Sequence, residues 1–189
     1  MLSRRFFKST TLLQRLPAGI LLVLAVQVQP AAVWAAPQDA APEFNPVQRV
    51  IELTNARRAE AGLAPLRLNQ HLSQAAQSYS DVLASTDCFA HTCGPVPDVA
   101  SRVEGAGYAD WSAVGENIAA GYSTPEEVVE GWMNSPGHRK NILSPNFSEI
   151  GIGLVSGRGA YGTYWTEDFG AREASALDAD LTMAAADDE

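Results

Sequence analysis

The sequence predicts an α+β domain in which helices come first along the chain and strands come last. Apolar residues recur at helical spacing over two early segments, 46–62 and 69–83. A third segment, 124–133, begins with a complete helix-capping pattern. Over 150–154 and 160–169, apolar residues instead alternate with small or polar ones, which is typical of strands.

The first two helices are predicted from their apolar sides. The first begins at Pro46, ends before Gly62, and places on one side Val47, Val50, Ile51 and Thr54. Asn69 is suited to cap the second helix, whose inner side carries Leu72, Ala75, Ala76, Tyr79 and Leu83. His71 lies at the edge of that side, and we expect it at the surface or boundary rather than in a ligand-binding role.

The segment 86–115 is predicted to be irregular apart from one short helix at 98–104. It contains Cys88, Cys93 and His91, together with several prolines and glycines. A long irregular segment inside a compact domain is usually functional or mobile. The sequence therefore draws attention to His91.

The next helix has the clearest local signal in the chain. Thr124 is placed as the N-cap, Pro125 at the first helical position, and Glu127 completes a capping box. The pattern then repeats, because Ser135 and Pro136 begin a short helix to about residue 143 with His138 in its first turn. The positive end of the helix dipole favours the neutral form of that imidazole.

The predicted strands end the domain. Glycines at 151 and 153 predict close approach by another segment. A turn at 157–159 leads to a return strand, 160–169, with one face formed by Tyr161, Thr163, Trp165, Glu167 and Phe169.

Residues 1–35 are predicted to be a signal peptide rather than part of the fold. They combine four basic residues, no acidic residue and an apolar run at 19–28 that is shorter than the roughly 20 residues needed to span a bilayer. The pair Arg4–Arg5 also resembles a twin-arginine signal, although ordinary signal peptides carry such pairs too. Residues 36–45 are interpreted as a linker, and 171–189 as an acidic, disordered tail.

Export has consequences for the cysteines and for the charge. In an oxidising compartment Cys88 and Cys93 are expected to bond and pin His91, with free thiols or half of a metal site as the alternatives. Without residues 1–35, the chain keeps 9 of its 13 basic residues and all 22 acidic ones, a formal charge of −13. Such a chain repels phosphate backbones, which excludes nucleic acid as a partner.

Six short motifs in one order resemble the CAP superfamily (cysteine-rich secretory, antigen 5 and pathogenesis-related 1 proteins), and most of all its bacterial SCP-type extracellular domains. Within residues 46–170 they are the N-x-x-R at Asn55–Arg58, His91, the Gly115–Ile118 segment, Trp132 with Ser135–Leu143, Glu149–Gly153, and the aromatic strand ending at Phe169.

The resemblance implies a three-layer α-β-α sandwich of the CAP type, with a small antiparallel sheet and a cleft of two histidines and two glutamates. By position, the cleft residues are His91, Glu116 and His138, while the second glutamate is replaced by Ser135. His91, His138 and Glu116 could together hold a divalent metal such as zinc.

Two functions remain open from the sequence. The first is an exported, monomeric binding or interaction module, without a transmembrane segment in the mature chain, for a small ligand, a lipid or an envelope component. No nucleophile motif is present, which favours this hypothesis. The second is a metal-dependent hydrolase acting on an extracytoplasmic substrate with Glu116 as base. For Glu116, a purely structural role inside a hydrogen-bond network is the alternative.

Overall fold

The computed structural model describes residues 44–172, which form five helices and four strands. In chain order these are α1 (Pro46–Glu60), β1 (Arg67–Leu68), α2 (Gln70–Thr86), α3 (Val99–Gly105), β2 (Trp111–Ala120), α4 (Pro125–Asn134), α5 (Pro136–Ile142), β3 (Glu149–Ser156) and β4 (Thr163–Arg172). The predicted signal peptide, most of the predicted linker and the predicted tail from residue 173 onward lie outside the described residues.

The four strands make one sheet in the order β1-β3-β4-β2. Strand β4 lies between β3 and β2 and pairs antiparallel with both. The two-residue β1 pairs parallel with β3, so the sheet is mixed at that edge. The α+β class is therefore confirmed, and the sheet is antiparallel except for this short parallel bridge.

Helices cover both faces of the sheet, which gives the three-layer architecture. On one face α2 packs so closely on β3 that a Cβ added to Gly151 would lie 2.2 Å from the backbone of Leu72. On the other face, Thr54 of α1 donates to Glu167 of β4 at 2.8 Å, and α4 and α5 pack beside α1. The close approach predicted from the glycines of β3 is thus confirmed.

The predicted helix starts are confirmed with one exception. Asn69 accepts from two backbone N–H groups of α2, and Thr124 and Glu127 form the reciprocal capping box of α4. Ser135 occupies the N-cap position of α5, but its side chain makes no capping hydrogen bond. The backbone carbonyl of Ser135 accepts from Arg139 N at 2.9 Å, which is the ordinary first hydrogen bond of a helix.

Strand β2 is the main difference from the sequence prediction. The end of the segment predicted to be irregular, together with the residues that follow it to Ala120, forms a ten-residue strand. Its central residues Glu116 and Asn117 are polar, yet both are buried, on opposite faces of the sheet. Periodicity could not identify this strand because both of its faces are covered.

Strand β4 also differs from its prediction. It starts at Thr163 rather than at residue 160, and seven consecutive residues from Tyr164 are buried, not one alternating face. The strand continues to Arg172, whose guanidinium binds both carboxylate oxygens of Glu149 at 2.9 and 3.1 Å. Residues 171 and 172 of the predicted tail are therefore part of the sheet.

Arg58 connects distant parts of the chain from within α1. It is 2% exposed, and its guanidinium donates to four carbonyl oxygens, those of Ala64, Ile142, Ser144 and Phe147. Around it, the apolar core on this face includes Trp132 and Trp165, each 1% exposed. Within residues 44–172, no helix has both the length and the apolar character to cross a bilayer.

Candidate functional site

Glu116, in the middle of β2, is the centre of the polar site. Its side chain is 2% exposed, and each of its carboxylate oxygens has a partner. Oε1 accepts from Nδ1 of His91 at 2.7 Å, and Oε2 accepts from Nη2 of Arg102. A carboxylate that is both buried and ionised requires partners of this kind.

Arg102 reaches Glu116 from α3 with a side chain that is only 7% exposed. Its Cζ atom lies 3.5 Å from the centroid of the Tyr79 ring, which places a cation over an aromatic face. Its Nη1 donates to the backbone oxygens of His91 at 3.1 Å and Pro97 at 2.6 Å. One guanidinium therefore neutralises Glu116 and fixes the loop that carries His91.

The loop that carries His91 is closed by the predicted disulfide. Cys88 and Cys93 are bonded, with their Cα atoms 5.9 Å apart. Tyr79 adds a third constraint, because its hydroxyl donates to the backbone oxygen of Ala90 at 2.6 Å. The backbone of His91 is thereby held in place while its imidazole remains 58% exposed.

The two histidines have opposite electrostatic environments. The hydrogen bond to Glu116 raises the pKa of His91, against the opposing effects of burial and of Arg102. Burial lowers the pKa of His138, and the charge of nearby His91 lowers it further. The neutral form expected for His138 agrees with this direction, although burial, not the helix dipole, is the main cause. The site thus presents one imidazole that favours its cation and one that favours its neutral form.

A second polar network holds α5, and with it His138, against β2. Asn117 is fully buried and donates both to the backbone oxygen of His138 at 3.2 Å and to Glu167 at 2.9 Å. Asn141 donates to the backbone oxygen of Glu116 at 3.1 Å and to the side chain of Asn117 at 2.9 Å. Burial raises the pKa of Glu167 to about 7.

The structure brings together three of the four predicted cleft residues. His91 contacts Glu116 directly, and His138 is near enough to His91 to respond to its charge. Ser135 instead lines a groove beside Tyr122 and Glu130, which none of the other three lines. Within the described part of the chain, no group of three or more His, Cys, Asp or Glu side chains is placed to hold a metal ion.

Two polar residues of the site, Arg102 and Asp168, were not predicted from the sequence. Asp168 of β4 pairs in register with Glu116 and is fully buried. Neither of its carboxylate oxygens has a hydrogen-bond partner among residues 44–172, and burial raises its pKa well above the ordinary value. No spacing signal pointed to either residue. His71, by contrast, lies at the expected boundary position, with Nδ1 2.8 Å from the backbone oxygen of Ala106.

Comparison with curated proteins gives two relatives from Bacillus subtilis (strain 168). The uncharacterized protein YkwD is 43% identical over 122 residues, which are 65% of this chain and 46% of that protein. The uncharacterized membrane protein YlbC is 32% identical over 122 residues, 65% of this chain and 33% of that protein. The chain thus spans less than half the length of either relative.

Solved structures show the same architecture. An extracellular protein containing an SCP domain from Bacillus anthracis strain Ames aligns with a TM-score of 0.60 at 28% identity, covering 67% of this chain and 40% of that one. An outer surface protein of Borrelia burgdorferi aligns with a TM-score of 0.61 at 19% identity, covering 69% and 97%, and supports the fold alone.

The model of the CAP family, described as the cysteine-rich secretory protein family, matches residues 51–169. That match covers most of the chain and contains every residue of the two polar networks described above. The chain belongs to the cysteine-rich secretory protein (CAP) family.

Proposed function

We propose that this protein is an exported binding module, and that His91 and His138 form the ligand-contacting part of its cleft. The observation that carries the proposal is the state of Glu116, whose two oxygens are committed to His91 and Arg102. The carboxylate orients His91 through Nδ1 and leaves the Nε2 edge of an exposed ring available to a ligand. A fixed imidazole beside a second, neutral one suits recognition of a polar group.

The same geometry disfavours the hydrolase hypothesis. A general base needs a free lone pair within hydrogen-bond reach of the proton that it takes. The carboxyl group of Glu116 is 2% exposed and each of its oxygens already accepts a hydrogen bond, so a substrate or water has little access to the remaining lone pairs. We therefore assign Glu116 the role of a positioning residue for His91.

A divalent metal does not fit the predicted set of His91, His138 and Glu116. A zinc site takes three or four protein ligands, whereas the carboxylate of Glu116 is 2% exposed and paired with the cation of Arg102, and within residues 44–172 no three such side chains are grouped around one point. Two imidazoles alone remain, so no step of the proposed function passes through a metal. Zinc titration calorimetry tests this point, because stoichiometric binding that disappears in His91→Ala/His138→Ala would contradict it.

The proposed function is tested by co-sedimentation of the purified protein with two kinds of envelope material. These are phospholipid vesicles and insoluble cell-wall polymer, each mixed with wild type, with His91→Ala/His138→Ala or with His71→Ala. We expect one material to retain wild type and His71→Ala, and the double variant to bind at least about tenfold more weakly, a loss of about 1.4 kcal/mol. Equal retention of all three variants, or no retention of wild type on either material, would refute the proposal.

Export itself is supported by the disulfide, since such bonds persist in oxidising compartments. The SCP-domain protein of Bacillus anthracis that aligns with this chain is described as extracellular, which points the same way. We propose that residues 1–35 direct export, that residues 46–170, extended by the last two residues of β4, form the functional domain, and that this domain is monomeric. Light scattering on the purified protein checks the oligomeric state, and mass spectrometry of exported protein checks cleavage after Ala35.

A further inference from the structure

Two aromatic side chains from different loops form an exposed pair on the surface. Phe89, inside the loop closed by the disulfide, is 45% exposed, and Tyr161, in the turn between β3 and β4, is 56% exposed. Their ring centroids lie 6.0 Å apart, and the ring planes are tilted by 52°. Single apolar side chains at a surface are ordinary, whereas contiguous ones indicate a binding surface. Among the large apolar side chains that residues 44–172 leave exposed, these two are the ones in ring contact with each other.

Both rings are held from below by buried tyrosines. The residue after Phe89 is Ala90, whose backbone oxygen accepts from the hydroxyl of Tyr79 at 2.6 Å. The ring of Tyr161 packs edge-on against Tyr164, with centroids 6.0 Å apart, and its backbone N–H donates to the hydroxyl of Tyr164 at 3.3 Å. Both tyrosines are fully buried. The pair is therefore presented in a fixed arrangement, which lowers the entropy cost of binding.

Asp87 links the two loops and adds an acceptor next to the rings. Its Oδ1 accepts from the backbone N–H of Ala160 at 3.0 Å, which joins the residue two positions before Phe89 to the residue just before Tyr161. The side chain of Asp87 is exposed, and its Oδ2 accepts no hydrogen bond from residues 44–172. A ligand that lies on the two rings can therefore donate a hydrogen bond to this oxygen.

We propose that Phe89 and Tyr161 form a stacking platform for a neutral glycan built of β-1,4-linked sugars of the gluco configuration. In such a sugar every substituent is equatorial, so each face of the ring presents axial C–H groups that pack on an aromatic ring. The hydroxyl groups at the edge of the sugar donate to the carboxylate of Asp87. This inference goes beyond the function proposed for His91 and His138, because different side chains contact the ligand.

The charges around the pair disfavour an anionic membrane as the occupant. Arg158 is the one basic residue of the turn 157–162, and it pairs with Asp81 at 3.2 Å. The loop 87–97 contains no Lys or Arg, and its His91 pairs with Glu116. Segments that bind anionic lipid surfaces combine their aromatic rings with Lys and Arg side chains. An uncharged partner suits this surface better.

The size of the pair disfavours a second protein, including a second copy of this chain. A stable protein interface takes about 800 Å² from each partner and roughly 20–30 residues a side. Two rings supply a small part of that area. A six-membered sugar ring has the size of one aromatic ring, so the pair suits one or two consecutive sugars.

Nuclear magnetic resonance on ¹⁵N-labelled protein tests the proposal, with two neutral trisaccharides as probes. These are the β-1,4-linked trimers of N-acetylglucosamine and of glucose. We expect at least one of them to cause saturable shifts in the amides of 87–93 and 157–164, with a dissociation constant on the order of millimolar. Phe89→Ala and Tyr161→Ala should each bind at least about fivefold more weakly, whereas Tyr161→Phe keeps the ring and should bind like wild type.

Two control variants and a lipid probe separate this inference from its alternatives. Phe44→Ala removes an exposed ring outside the pair and should leave the affinity unchanged, as should His91→Ala/His138→Ala. A loss confined to the histidine variant would place the sugar in the histidine cleft and overturn the platform. Equal affinity after removal of either ring, or no saturable shift with either trisaccharide, would also overturn it. Ring-dependent sedimentation with phosphatidylcholine vesicles, without sugar binding, would overturn it in favour of a lipid surface.

Discussion

Replacing Glu167 by glutamine should stabilise the protein at alkaline pH and leave its stability nearly unchanged at pH 5. Burial raises the pKa of Glu167 from 4.5 to about 7, against the opposing hydrogen bonds from Thr54 and Asn117. Between these two values the native state holds a proton that the unfolded state releases. The free energy of unfolding therefore falls as pH rises through this window, by about 3 kcal/mol from this group alone.

Glutamine suits the site because it has the shape of the protonated acid. Glu167 lies 2.8 Å from the hydroxyl of Thr54 and 2.9 Å from the amide nitrogen of Asn117. In the variant, the amide oxygen accepts from Asn117 and the amide nitrogen donates to the hydroxyl of Thr54. Both partners stay satisfied and no charge can be buried, so the variant lacks this part of the pH dependence.

Urea denaturation of wild type and Glu167→Gln at pH 5, 7 and 8.5 measures the effect. The control is Glu60→Gln, at an exposed position of α1. The gap between wild type and Glu167→Gln should grow from near zero at pH 5 to about 2–3 kcal/mol at pH 8.5. The charge of Glu167 also raises the pKa of Asp168. Part of the difference in unfolding free energy between the two proteins therefore comes from the titration of Asp168. Parallel stability curves for the two proteins would refute the reasoning.

Three further substitutions test the packing and the electrostatics. Trp132→Ala removes a ring that is 1% exposed and should cost about 3–5 kcal/mol in urea denaturation; a loss below about 1 kcal/mol would contradict its placement. Gly151→Ala should prevent stable folding, as judged by circular dichroism, because its Cβ would lie 2.2 Å from the α2 backbone. Gly137→Ala, with nothing within 4 Å of the added Cβ, is its control and should fold normally. Glu116→Gln should lower the pKa of His91 toward its ordinary value in a nuclear magnetic resonance titration, since the hydrogen bond to the carboxylate is the main cause of the rise. An unchanged titration would show that the carboxylate does not control this ring.

The features that could be predicted from the sequence are those that depend on interactions between residues only a few positions apart. The capping box of Thr124 and Glu127 is complete within four positions, and Asn69 caps a helix that begins at the next residue. The glycines of β3 likewise predict that another segment packs closely on this strand, but they do not identify that segment as α2. The three-layer architecture could not be predicted from periodicity. It was predicted only from the resemblance of six motifs to those of a known family.

The polar site could not be assembled from the sequence because its partners are far apart along the chain. Arg102 and Glu116 are separated by 14 positions, and Asn117 and Glu167 by 50. Each pair becomes possible only once β2 is recognised as a strand buried on both faces. Ser135 illustrates the opposite error, since a local capping pattern was present but the Ser135 side chain makes no capping hydrogen bond.

The position of β4 has a consequence for how this chain acquires its structure during synthesis. The strand that is central in the sheet is the last to leave the ribosome, and neither β2 nor β3 has its long antiparallel partner before then. The chain therefore stays without its sheet until the ten residues of β4 have left the ribosome. A product that stops before Thr163 is consequently not a smaller domain but an unpaired chain, exposed to chaperones and proteases.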